Sequence, residues 1–188
     1  MNRNSRIGAA WGRWALILIL CFLPVRAGSL LREVYSNIPG VTLDALTNNP
    51  AFPTSPSSTN LITDLFEAPT DVADNYGQRV RGILTAPLTG KYTFWIAGDD
   101  YASLYLSTDA SPEKRQWIAG VPGWTGSREW GKYPEQQSAP VALVAGSRYY
   151  IEALKKRRGV ATIWPSGGCV RMGWTRVRSR LTPSWPGD

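Results

Sequence analysis

Asp99 and Asp100 stand side by side just after an alternating stretch, Lys91 to Ala97, that sets Tyr92, Phe94 and Ile96 on one face. Two adjacent carboxylates repel each other unless a cation or several hydrogen-bond donors sit between them. Calcium suits such a place, since it takes about six to eight oxygen ligands in forgiving geometry. Gly98-Asp99-Asp100-Tyr101 can equally be a polar hairpin turn, and the residues alone leave both readings open. Aromatic residues are the second group able to bind something. Trp117, Trp124, Trp130 and Tyr133 lie in or beside a Gly/Pro-rich stretch, where exposed rings can stack on sugar faces or plug one end of a sheet. Trp117 alternates with Ile118 in a strand pattern and is expected to be buried. Trp124 and Trp130, on loop backbone, are candidate ligand contacts, as is Tyr101 beside the acidic pair.

Other chemistries are excluded. The 188 residues contain no histidine, which removes Ser-His-Asp and Cys-His nucleophiles and any His-ligated metal site. Two cysteines cannot build a four-thiolate zinc site or a disulfide framework. Glu129, Glu135 and Glu152 show no arrangement that singles out an acid and a base for glycoside cleavage. Carboxylates are abundant enough that composition leaves a paired-acid glycosidase open, but with no pair singled out the chain is expected not to be an enzyme.

The elements that must position the pair are short strands. Leu30–Tyr35, Arg79–Thr85, Lys91–Ala97, Ala102–Ser107, Gln116–Val121, Val141–Val144 and Tyr149–Leu154 read as strands separated by Gly, Pro, Asn, Asp and Ser. Residues 37–60 carry four prolines and read as a long ordered loop, and Leu61–Glu67, opened by Asn60, reads as a short helix. The expected class is all-β, a sandwich or jelly roll.

The net charge of +7 invites a nucleic-acid reading, but the charges are not spread evenly. Residues 1–27 hold four arginines and no acid, residues 155–188 hold eight Lys+Arg against Asp188, and the stretch between holds nine against thirteen acids. At the N-terminal end, Arg3, Arg6 and Arg13 precede an apolar run from Trp14 to Val25, and Val25 and Ala27 are small residues at the positions a signal peptidase reads. Residues 1–27 are therefore expected to be a signal peptide cut before Gly28, the run being too short to span a bilayer. Cleavage removes Cys21 and leaves Cys169 without an intrachain partner.

Gly90-Lys-Tyr92-Thr-Phe94, Asp99-Asp100 and Leu104-x-Leu106, in that order, resemble the central motif of the anthrax protective-antigen domain family, the PA-14 type. Arg79-Val-Arg-Gly82, Leu143-Val-Ala-Gly146 and Tyr149-Tyr-Ile-Glu-Ala-Leu154 fit its flanking strands, and Leu30–Tyr35 fits the opening one. The resemblance implies a jelly-roll-like β-sandwich over 28–154. Family members occur in glycosidases, proteases, surface proteins, toxins and glycan-binding fungal adhesins. In the adhesin branch the matching acidic pair is joined by a cis peptide and faces calcium, so the resemblance implies calcium held by Asp99 and Asp100, with further ligands from a loop after the Tyr149–Leu154 strand.

After Leu154 the pattern breaks into Arg, Gly, Pro and Trp. A basic tail for anionic surfaces is one reading. Translation out of frame is the other and explains more. In the alternative frame Ile163/Trp164 yields Leu or Met, Trp164/Pro165 yields Ala and Met172/Gly173 yields Gly, and the permitted codons spell a Leu-Ala-Val-x-Trp strand followed by Pro-Asp-Gly. On that reading 155–188 is disordered, the domain lacks its last strand, and the calcium site is incomplete. The chain is thus expected to be an exported, non-catalytic carbohydrate-binding or adhesion module, calcium-assisted, cut from a larger cell-surface protein or enzyme. Its expected partners are glycans or cell-surface polysaccharide, with no nucleic acid and with membrane contact only through the signal peptide. A structural spacer or protein-interaction domain, and a glycoside hydrolase fragment, are the alternatives.

Overall fold

A computed structural model describes residues 29–63, 66–69 and 73–158, and the backbone of 173–176. The expected signal peptide, both cysteines and most of the basic tail, with the frame reading that concerns it, lie outside the described residues. The elements are β1 (Leu30–Tyr35), α1 (Leu43–Thr47), β2 (Ser58–Ile62), β3 (Tyr76–Thr85), β4 (Gly90–Trp95), β5 (Tyr101–Ser107), β6 (Arg115–Val121), β7 (Val141–Leu143), β8 (Arg148–Arg157) and β9 (Gly173–Arg176). They form two sheets, one of six strands in the order β2-β1-β3-β8-β5-β6 and one of three in the order β7-β4-β9. Every pairing is antiparallel. Apolar residues from both sheets share one core, among them Val80, Leu84, Phe94, Ile96, Leu104 and Ile151. That is the expected sandwich, built by period-2 alternation in each strand.

β8 runs down the middle of the large sheet. It pairs with β3 from Thr85↔Arg148 to Tyr76↔Arg157, and with β5 on its other side from Leu106↔Ile151 to Tyr101↔Lys156. Tyr149, Ile151 and Ala153 join the core. By alternation, Tyr150, Glu152 and Leu154 take the opposite face. That face is polar but closed: Glu33 of β1 accepts hydrogen bonds from Arg79 and Arg81 of β3, and the Tyr150 hydroxyl donates to Glu152 at 2.6 Å.

Four expectations change. Leu61 belongs to β2, a strand, not to a helix: Ser58–Ile62 pairs along β1 as a mostly exposed edge, and Asn60, read as a helix start, accepts a hydrogen bond from Arg32 mid-strand. The 37–60 loop contains α1, whose Leu46 is fully buried with Tyr35 and Ile38 in a second small core. Trp117 lies in a strand as expected but is 52% exposed. A β-bulge is the reason: Tyr105 pairs with Trp117 and Leu104 with Ala119, so Ile118 and Ala119 both turn to the core and Trp117 is left outside on an edge strand. Finally, β8 continues three residues past the expected boundary at Leu154, and Gly173–Arg176, read as part of a tail without elements, pairs with β4. A four-residue segment is too short to display a period, so nothing in its pattern marked it as a strand.

Candidate functional site

The chain leaves β4 through Ile96 and Ala97, both fully buried, and reaches the acidic pair at the start of β5. The Asp99–Asp100 peptide is cis. Its position is fixed from both sides. Gly98 N–H donates to Thr125 Oγ1 at 2.9 Å, Thr125 N–H donates to the Gly98 carbonyl at 2.8 Å, and Asp99 forms an antiparallel bridge with Trp124. On the β8 side, Asp100 N–H donates to the Lys156 carbonyl at 3.1 Å, and Arg158 N–H donates to Asp100 Oδ2 at 2.7 Å. Arg157 Nε lies 4.0 Å from Asp99 Oδ2 and 3.5 Å from Asp74 Oδ1.

Asp99 is buried, and burial pushes its carboxyl up to about 6. The neighbouring Asp100 adds to the rise through its charge and a hydrogen bond, and Lys155 and Arg157 pull back without cancelling it. Burial lowers the Lys156 ammonium, with Asp100 opposing. The site is thus a pair of facing carboxylates set in a fence of cationic residues.

The second wall is the loop between β6 and β7. Trp124 is 51% exposed there, and Lys132 Nζ sits 3.3 Å over its ring. The loop is held by Gln136, fully buried, whose amide nitrogen donates to the carbonyls of Ile96 and Glu129 and whose oxygen accepts from Tyr133 N–H. Of the expected contacts, Trp124 is brought directly to the acidic pair through its bridge to Asp99. Tyr101 follows Asp100 in β5, half-buried and in register with Lys156. Trp130 is half-buried in the same loop as Trp124. Thr125, Lys132, Gln136 and Arg157 are site residues that the sequence did not single out. Gln136 sits in Pro134-Glu135-Gln136, which reads as an ordinary turn, and its contact with Ile96 spans 40 residues. No local pattern carries that information.

The described residues fit calcium incompletely. They supply two carboxylates, one oxygen of which already accepts the Arg158 N–H, against the roughly six to eight oxygens the ion takes. Among the described residues, no group of three or more His, Cys, Asp or Glu is placed to hold a metal. Glu152 is buried against Tyr150 and Arg115 on the far face of the sheet, and Glu129 braces its own loop by accepting Gly126 N–H.

Residues 39–178 match the PA14 domain family. Among curated proteins, the N-acetyl-beta-glucosaminyl-glycoprotein 4-beta-N-acetylgalactosaminyltransferase 1 of Mus musculus is 34% identical over 134 residues, which is 69% of this chain and 13% of that protein. Fibrocystin of Canis lupus familiaris is 35% identical over 83 residues, 40% of this chain and 2% of that one. The chain therefore spans a small part of the length of these relatives. Among solved structures, the PA14 sugar-binding domain from an RTX adhesin superposes with a TM-score of 0.54 at 13% identity, covering 80% of this chain and 90% of that one. The epithelial adhesin 9 A domain of Candida glabrata, in complex with Galb1-4GlcNAc, gives 0.52 at 14% identity, covering 82% and 84%. At these identities the likeness shows a shared fold.

Proposed function

The chain belongs to the PA14 domain family, and from that premise we propose that it is an exported, non-catalytic carbohydrate-binding module whose ligand site is the Asp99–Asp100 pair with Trp124. The observation that carries this reading is the backbone bridge between Asp99 and Trp124, which brings a residue with a half-exposed indole into register opposite the first acid of the pair. Sugars are recognised by that combination: carboxylates accept hydrogen bonds from hydroxyls, and an aromatic face covers the apolar C–H side of the ring. Lys132, already stacked on Trp124, adds a donor at the rim. Tyr101 and Trp130 are the further contacts we assign to the ligand.

Two solved domains that share this fold, the RTX adhesin's PA14 sugar-binding domain and the epithelial adhesin A domain in complex with Galb1-4GlcNAc, support the ligand class. Export rests on the basic residues and apolar run before Gly28. The non-catalytic reading is supported by Glu129 and Glu152, each hydrogen-bonded within its own element, to Gly126 N–H and to the Tyr150 hydroxyl. A glycan array probed with the full chain tests the reading, with galactose-terminated disaccharides such as Galb1-4GlcNAc as the first candidates. Binding that disappears in Asp100→Ala and Trp124→Ala is the expected result. An array without signal, or a signal indifferent to both substitutions, points to a spacer or protein-interaction domain instead.

A further inference from the structure

Two carboxylates packed against each other at the end of a sheet are accommodated by a cation, by hydrogen-bond donors or by a shared proton. The described start of the segment expected to bring oxygen ligands to this pair brings cations. The four residues after Leu154 are Lys155, Lys156, Arg157 and Arg158. Lys155 and Lys156 are fully buried, and the Arg157 side chain is 14% exposed. Strand alternation sends Arg157 to the acidic pair: it sits two steps beyond Lys155, in register opposite Tyr76, on the side of β8 that Ile151 and Ala153 present to the core. There its Nε lies within 4.0 Å of both Asp99 and Asp74, two acids from different segments. Lys156 Nζ donates to the Arg157 carbonyl at 2.6 Å, and the next amide takes an Asp100 oxygen.

We propose that the Arg157 guanidinium, set between Asp74 and Asp99, is the resident counter-ion of Asp99, the buried member of the pair, so that in this chain the pair requires no calcium. A guanidinium stays charged at any ordinary pH and its fork of donors can serve two carboxylates at once. A divalent ion entering here would meet that like charge and find one Asp100 oxygen already engaged. The assignment concerns the charge balance of the pair and holds whatever the ligand is, so stability rather than sugar binding is the readout.

Thermal unfolding of the full chain is compared in excess calcium and in excess chelator. The expected result is the same Tm within about 1 °C; a rise of more than about 3 °C with calcium would overturn the proposal. A double-mutant cycle gives the second arm. Arg157→Gln alone is expected to lower Tm by about 5 °C, and adding Asp99→Asn is expected to restore a good part of the loss. Strictly additive effects would show that Arg157 does not neutralise Asp99. Should Arg157→Gln fold only when combined with Asp99→Asn, the same coupling is demonstrated, and the calcium comparison on the unmodified chain decides independently of either variant.

Discussion

Trp124 keeps half its surface in water with Lys132 Nζ stacked 3.3 Å above the ring, which is an unusual place for an indole with only a structural task. Trp124→Ala should therefore weaken glycan binding by about tenfold or more while moving Tm by less than about 2 °C, since little core contact is lost. Equal losses in both would assign the ring to packing. Asp99 carries a second prediction. Burial and Asp100 raise its carboxyl to about 6, above its ordinary value of 3.8, so the folded chain holds the proton more tightly than the unfolded one. The stability this gives is fully present below the unfolded value and is lost as pH rises through about 6. Tm of the native chain should fall relative to Asp99→Asn between pH 4 and 6.5, and a parallel course would contradict the assignment. The acidic pair was legible in the sequence because two adjacent carboxylates after an alternating strand are conspicuous. Arg157 was not, because its role follows from β8 continuing past the last residue whose pattern reads as strand.

At the scale of elements, one fully buried side chain ties the β6–β7 loop to the approach of the acidic pair. Gln136 ties Ile96 of the pair's approach segment to Glu129 and Tyr133 of the loop. Gln136→Leu leaves the buried groups around it without partners and should cost about 3 kcal/mol, with faster amide exchange confined to 122–138. Exchange spread over the whole domain would mean the loop is not an independent unit. On the outer face of the large sheet, burial alone would raise Glu33, but the hydrogen bonds and charges of Arg79 and Arg81 outweigh it and hold the carboxyl below its ordinary value. Glu33→Gln should cost about 3 kcal/mol in urea unfolding at neutral pH, and the penalty should shrink in acid as the native carboxylate is protonated. An undiminished penalty in acid would place the contribution in packing. Seven strands were legible at nearly their observed limits because alternation is a local signal. β2 was divided between a loop and the start of a helix because an exposed edge strand has no buried face to alternate, and Trp117 was sent inside because a bulge inverts the pattern at one residue.

For the whole molecule, the charge distribution separates what belongs to the domain from what flanks it. The stretch 28–154 is mildly acidic, and the positive excess sits at the two ends. Yet the boundary is not where the charge changes: Lys155, Lys156 and Arg157 are built into β8, and the family match runs to residue 178. Composition therefore ended the last legible strand three residues short, because buried lysines and arginines look like a solvated tail until their partners are known. If the chain is exported as proposed, mass spectrometry of the secreted product should find Gly28 at its N-terminus, whereas an intact Met1 would contradict export by cleavage. The central claim is that the acidic pair and Trp124 form a sugar site, and calorimetric titration of the full chain with Galb1-4GlcNAc and related galactosides tests it most directly. The account predicts saturable binding that is abolished by Asp100→Ala, with the variant still folded. Binding of equal strength in folded Asp100→Ala, or no heat from any galactoside with the native chain, would contradict it.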